Sequence, residues 1–300
     1  MKTILITGAT RGLGLAFAEQ LAQDPDVRLV LAVRDLKAGN ALAQRLGKNA
    51  QAVHLDMASQ SSIASFLESW QTPLDVLINN AGLQVHGPTA FSEDGVELSL
   101  AVNHLGVLQL TKGLLPMLDG GTVLTIGSGT HNPNDREAKM FGFRGGRFTS
   151  ISALARGETD APSERQAGMD RYATSKLVAM ATTVELARRD TNTRFMTFDP
   201  GLMPGTGLVR TAPRVVQMAW TFIMPLAVPL IPGASTPEAS ATVGCQIALD
   251  PASRSGETYD HRGKVSKDVW DKVSDPEFGR IVVDQSVDFL NHCSLESRAA

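Results

Sequence analysis

Tyr172 and Lys176 stand four residues apart in "RYATSK", and Tyr172 is one of only two tyrosines in the chain. On a helix, positions i and i+4 share a face, so the ammonium can act on the phenol. A free phenol, with a pKa of about 10, is a poor base at neutral pH. A nearby cation favours the phenolate and lowers that pKa. The spacing therefore predicts a proton-handling pair, with an ordinary exposed helix pair as the bland alternative. Ser128, closing the apolar run "GTVLTIGSG", would offer a hydroxyl to a substrate oxygen. Ser150 and Ser152 are its rivals for that role. Asn103 could equally be a buried helix asparagine bonded to backbone. His104 reads as structural, and His131 reads as structural with substrate contact as the minor alternative.

A second chemical signature lies at the N-terminus. In "TGATRGLG" the spacing of Gly8, Gly12 and Gly14 falls between an apolar run and a helical pattern. Glycines there permit a tight turn and let backbone approach a pyrophosphate. The following helix start supplies N–H donors and partial positive charge. Thr10, Arg11 and Leu13 lie in the same turn. The next apolar run ends in "LAVRD". An acid at that point would hold a ribose 2′-hydroxyl, whereas a cation suits a 2′-phosphate. Arg34 follows the run about twenty residues past the glycines, and Arg11 could reach the same phosphate through its fork of donors. Asp35 falls one residue late and is expected to begin a helix. The expected cofactor is NADP(H).

These residues need a scaffold, and the pattern supplies one. Apolar runs at 2–8, 27–34, 50–57, 74–82, 121–129 and 193–201 alternate with helical patterns at 12–23, 35–47, 59–70, about 93–118 and 172–189. A helix near 237–249, a strand near 256–262 and a helical tail complete the chain. That alternation predicts an α/β fold: one Rossmann-type, doubly wound parallel sheet with helices on both faces, in one domain spanning 1–300. Residues 131–170 break the rhythm and read as a long insertion with little regular structure. Loops of that length are uncommon unless they do something.

Composition narrows the class. The 300 residues carry a formal net charge of −3, with no basic stripe, so nucleic acid is not an expected partner. Cys245 and Cys293 are not spaced as metal ligands; no metal site is expected, and a reducing, cytoplasmic setting is. The N-terminus lacks a signal-peptide pattern. Residues 215–232 carry no charge over a membrane-spanning length, but Pro225, Pro229 and Pro232 break any regular spanning helix. The segment reads as part of an apolar substrate lid, 202–236, with peripheral membrane contact as the alternative.

Taken in order, the glycine turn, Asp56, Asn79-Asn80-Ala81-Gly82, Asn103, Ser128, Tyr172-x-x-x-Lys176 and Asp199-Pro200-Gly201 resemble the short-chain dehydrogenase/reductase family across nearly the whole chain. "LAVRDLKAG", "ELSLAVNHLG" and "DPGLMPGTGLVR" resemble its retinol dehydrogenase and protochlorophyllide reductase branch, and the second group also carries an insertion before the tyrosine. Leu202 stands where those reductases have a cysteine, and "NAG" where they commonly read "NAA". The resemblance implies roles residue by residue. Lys176 would hold the nicotinamide ribose, and Asn103 would anchor a water that extends the proton relay. Asp56 and Met57 would approach the adenine. Asn79, Ala81 and Gly82 would line the adenosine ribose, and Pro200, Gly201 and Thr206 the carboxamide.

The lid and insertion contribute Met203, Leu208, Trp220, Phe222, Met140, Phe141, Phe143 and Phe148, with arginines among them. Such a lining suits a bulky apolar small molecule, which could carry a carboxylate. The first expectation is hydride transfer from NADPH to a hydrophobic carbonyl or enone, with Tyr172 as proton donor. A light-dependent tetrapyrrole reductase and a catalytically silent NADP-binding redox sensor are the alternatives. The sequence leaves the oligomeric state open.

Overall fold

A computed structural model describes residues 1–203 and 233–299. Seven parallel strands form one sheet in the order β3-β2-β1-β4-β5-β6-β7. They are β1 (Lys2–Thr7), β2 (Val27–Val33), β3 (Ala50–His54), β4 (Val76–Asn79), β5 (Thr122–Ile126), β6 (Arg194–Phe198) and β7 (Thr258–Tyr259). The chain runs outward from β1 to β3, then returns to β4 on the other side of β1. Crevices at such a reversal, beyond the carboxyl ends of the strands, are where open α/β sheets bind ligands.

Central strands are buried on both faces, and their alternation sorts side chains into two cores. Ile4, Ile6, Leu29, Leu31, Ile78, Leu124, Met196 and Phe198 face one side. There they meet α1 (Gly12–Leu21) and α8 (Pro237–Leu249), whose Phe17 and Gly244 lie in contact. Leu5, Val30, Leu77, Val123 and Phe195 face the other side. They meet α3 (Gln60–Ser69) and a composite helix, α4 (Leu98–Met117). The intervening α2 (Leu36–Leu46) is N-capped by Asp35, whose carboxylate accepts from the Ala38 N–H as the late position of that residue predicts.

Four elements depart from expectation. The helix expected from about 93 begins at Leu98, because Glu97 caps it by accepting from the Leu100 N–H. It then widens into a π-helical stretch, Ala101–Leu105, continues as α-helix Gly106–Leu114 and tightens at Leu115–Met117 around Pro116. Residues 131–170 are more regular than their composition suggests. They hold α5 (Arg136–Met140), capped by Asp135, and α6 (Ile151–Ala155), capped by Ser150. The tyrosine helix α7 spans Glu164–Arg189, eight residues longer at its start than expected, because Ser163 caps it. The last strand shrinks to Thr258–Tyr259.

A third cluster joins α4, α6, α7 and the C-terminal α9 (Pro276–Ala299) through Leu105, Ile151, Val178, Ala181 and Val282. Thr206, most of the expected lid and the whole 215–232 segment lie outside the described residues. Among the described residues no helix is long and apolar enough to cross a membrane.

Candidate active site

The glycine turn joins β1 to α1. Gly8 adopts φ +70°, and a Cβ there would lie 2.9 Å from Ala81 Cα. A Cβ on Gly14 would lie 2.4 Å from both the Gly8 carbonyl oxygen and Asn80 Nδ2, so only glycine lets α1 start this close to the turn. Gly12, at φ +55°, faces open space. Unlike α2, α3, α7 and α8, helix α1 has no side-chain cap, since its N-cap residue is Arg11. Its first N–H groups are therefore open to a phosphate. Thr10 is half-buried and Leu13 is buried beneath the turn. Arg11 and Arg34 are both exposed at the carboxyl edge of the sheet, and neither is in an ion pair among the described residues.

The "NNAG" segment divides its work. Asn79, expected to line a ribose, is 2% exposed, and its side chain donates to Thr111 Oγ1 at 2.9 Å. Asn80 instead donates to the carbonyls of Thr7 (2.9 Å) and Gly8 (3.1 Å), locking the turn. The Thr7 hydroxyl accepts from the N–H groups of Asn80 and Ala81. Spacing alone passed over Asn80 and Thr7; the doubled asparagine in the motif was the available signal. Asp56, after β3, accepts from the Ala58 N–H through its side chain, and Met57 is buried beside it. These glycines and open amides form a cradle that fits the pyrophosphate of a dinucleotide.

Across the sheet, Ser128 follows β5 and caps the short 3-10 turn Gly129–His131. Its hydroxyl contacts Thr130 Oγ1 at 2.9 Å. Ser150 is an N-cap and Ser152 is exposed on α6, so neither rivals it. Tyr172 and Lys176 come from the middle of α7, with Lys176 Nζ 5.9 Å from the centre of the tyrosine ring. Lys176 is buried and donates to the Ile126 carbonyl at 2.9 Å, which ties the helix to the end of β5. The position of a Cβ on Gly82 lies 3.3 Å from Asn103 Oδ1 and 3.6 Å from Lys176 Nζ, so all three converge.

The electrostatics correct one expectation. Burial pushes the Tyr172 phenol up to about 12, with the Ser128 hydroxyl opposing and the Asp199 carboxylate adding to the rise. Lys176, which donates to the Ile126 carbonyl with its Nζ 5.9 Å from the centre of the tyrosine ring, does not outweigh that burial. Burial also brings Lys176 down to about 8, against the pull of Asp199. The direction of the tyrosine shift favours the protonated phenol, the form that gives a proton.

Asn103 lies in the π-helical stretch, a distortion often found at functional sites. Its side chain makes three bonds to protein: Oδ1 accepts from the Leu83 N–H, and Nδ2 donates to the Leu83 carbonyl and to Ser175 Oγ, each at 2.9 Å. Ser175 in turn donates to the Tyr172 carbonyl. The side chain therefore clamps the chain after β4 to the tyrosine helix. His104 is buried, bonded to Ser286, and lowered to about 3 by that burial.

After β6, the Asp199 carboxylate accepts from the Gly201 N–H at 3.0 Å, and burial raises its pKa. The Pro200 carbonyl accepts from Ser240 Oγ. Gly201 has φ +74°; the Leu202 N–H donates to the Gly233 carbonyl and the Ser235 N–H to the Leu202 carbonyl, near the two ends of the expected lid. From the insertion, the Phe143 ring lies 6.2 Å from that of Tyr172. Arg144 pairs with the buried Asp170 and Arg147 with Asp160, holding the insertion to the start of α7.

Four similarities bear on this arrangement. Residues 2–137 match the model of the short chain dehydrogenase family. The chain is 33% identical over 286 residues to the chloroplastic protochlorophyllide reductase of Pisum sativum, covering 85% of this chain and 68% of that protein. It is 35% identical over 233 residues to the protochlorophyllide reductase of Avena sativa, covering 69% and 73%. A solved structure of an uncharacterised protein from Mycobacterium paratuberculosis superposes with a TM-score of 0.68 at 26% identity, covering 97% of this chain and 94% of that one. Glycine turn, Asn80 lock, strand-end serine and the half-buried Tyr172 beside buried Lys176 agree with these matches: the chain belongs to the short-chain dehydrogenase/reductase family, in its protochlorophyllide reductase and retinol dehydrogenase branch.

Proposed function

We propose that this oxidoreductase uses NADPH to reduce a bulky, hydrophobic carbonyl or enone, with Tyr172 as the proton donor. The observation that carries the reading is the placement of Tyr172: half-buried, beside Lys176 and bonded to the Ser128 hydroxyl at the carboxyl end of the sheet. Gly8, Gly12, Gly14 and the open amides of α1 would hold the pyrophosphate, and Arg11 and Arg34 the 2′-phosphate. Bound there, the nicotinamide supplies the hydride. Ser128 donates to the substrate oxygen and fixes its direction. Tyr172 delivers its proton as negative charge develops on the substrate. Lys176 stabilises the phenolate left behind, and its cation is the nearest compensation for that charge.

Phe143 beside Tyr172, together with the apolar lid sequence, favours a large apolar substrate. A second reading, light-driven reduction of a tetrapyrrole, is favoured by the similarity to the pea and oat enzymes. The test is NADPH oxidation over bulky ketones, aldehydes and enones, and with protochlorophyllide, each in darkness and in light. Turnover of a carbonyl compound in darkness supports the first reading. Turnover of the pigment confined to illumination supports the second. No oxidation of NADPH under any condition contradicts both.

A further inference from the structure

His131 is 1% exposed, three residues past Ser128, and the reaction as described gives it no task. Its bonds are unusual in that both ring nitrogens meet backbone. Nδ1 lies 2.7 Å from the Ser128 carbonyl oxygen, and Nε2 lies 3.1 Å from the Trp270 amide nitrogen. A carbonyl oxygen can only accept and an amide N–H can only donate, so these partners force one tautomer. Nδ1 carries the proton and gives it to Ser128; Nε2 accepts from Trp270. An imidazolium would set N–H against N–H at Trp270. Burial lowers the pKa of the ring, although the carboxylates of Asp135 and Asp199 pull the other way.

The same residue joins a third segment, since its carbonyl accepts from the Gly146 N–H of the insertion at 2.9 Å. Next to it, Asn132 Nδ2 donates to the Asp268 carbonyl at 2.8 Å. Residues 131–132 thus link the Ser128 turn, the insertion, and a C-terminal segment far outside residues 2–137. We propose that His131 is the positioning residue for Ser128: its Nδ1–H grips the Ser128 carbonyl while its Nε2 is braced by the Trp270 amide, which sets the direction of the Ser128 hydroxyl toward the substrate. This rests on the proposed role of Ser128 as the group that binds the substrate oxygen.

Two isosteric half-replacements separate positioning from mere support. An asparagine amide nitrogen falls close to the place of Nδ1 and keeps the donor to Ser128. A glutamine side chain reaches the place of Nε2 and keeps only the acceptor for Trp270. With NADPH and phenanthrenequinone as the probe, His131→Asn is expected to retain kcat within about threefold. His131→Gln is expected to lose roughly tenfold or more in kcat, with NADPH affinity unchanged. Both variants should lose a similar amount of thermal stability, because each gives up one buried bond. Equal kcat in the two variants, or losses that simply follow Tm, would overturn the proposal. So would nitrogen NMR of the wild-type protein showing the ring protonated on Nε2, or titrating near neutrality like a solvent-exposed histidine. Failure of the wild-type protein to oxidise NADPH with this quinone, or full turnover by Tyr172→Phe, contradicts the reductase reading instead, and the NMR result still decides the tie.

Discussion

At the scale of single residues, the proposed reaction depends on two groups, Tyr172 and Lys176, displaced in opposite directions by the same cause. Desolvation disfavours charge, so it holds Tyr172 protonated and loosens the proton on Lys176, to about 8. Reduction needs Tyr172 protonated and Lys176 charged. Because the lysine value is lowered, its charge is present below about pH 8 and is lost as pH rises through that value. The pH profile of kcat/KM should therefore fall on an alkaline limb near pH 8. Lys176→Arg, whose cation does not titrate in this range, should remove that limb even as it lowers the rate. Cofactor choice is also a residue-scale matter. Arg34→Ala removes one charge-assisted contact to a 2′-phosphate, and NADPH should bind roughly tenfold to a hundredfold more weakly by fluorescence titration, with NADH nearly unaffected. Equal losses for both nucleotides would remove Arg34 from this role.

At the scale of elements, neighbours decide what isolated residues only suggest. "RYATSK" and "TGATRGLG" were legible because their chemistry is local: a helical spacing and a glycine turn. Asn80 was not, since its two bonds to Thr7 and Gly8 exist only once β4 lies beside β1. Asn80→Ala should weaken NADPH binding by roughly tenfold, measured by calorimetry, while Tm falls only modestly. The role of Asn103 was half legible. Its place in a helix was evident, but the clamp on Leu83 and Ser175 needs the π-helical turn that aims it. The lowering of the tyrosine pKa by lysine was a sound rule for an exposed pair, and burial between α7 and β5 outweighed it.

At the scale of the whole molecule, the sheet was readable because parallel strands buried on both faces leave apolar runs between amphipathic helices. The insertion was not, because short helices such as Arg136–Met140 and Ile151–Ala155 owe their existence to capping by Asp135 and Ser150 and to packing, not to a long periodic pattern. Its placement ties the tyrosine to distant parts of the chain: Phe143 meets Tyr172, and Arg144 pins the segment to Asp170. Removing the Arg144 pairing through Arg144→Met should leave NADPH binding intact and raise KM for a bulky ketone several-fold. It should also cost roughly 1–2 kcal/mol of stability, because Asp170 stays buried with Gln166 Nε2 left to it, while the half-exposed Arg144 end of the pair was already in solvent. Thermal denaturation and steady-state kinetics check both parts.

The most direct test of the central claim is a single-turnover measurement of NADPH oxidation by the Tyr172→Phe protein, made with the best bulky carbonyl substrate of the wild type. Removing the hydroxyl should slow the chemical step by about a hundredfold to ten-thousandfold while NADPH binds with unchanged affinity. A variant that oxidises NADPH at the wild-type rate would contradict the assignment of Tyr172 as the proton donor.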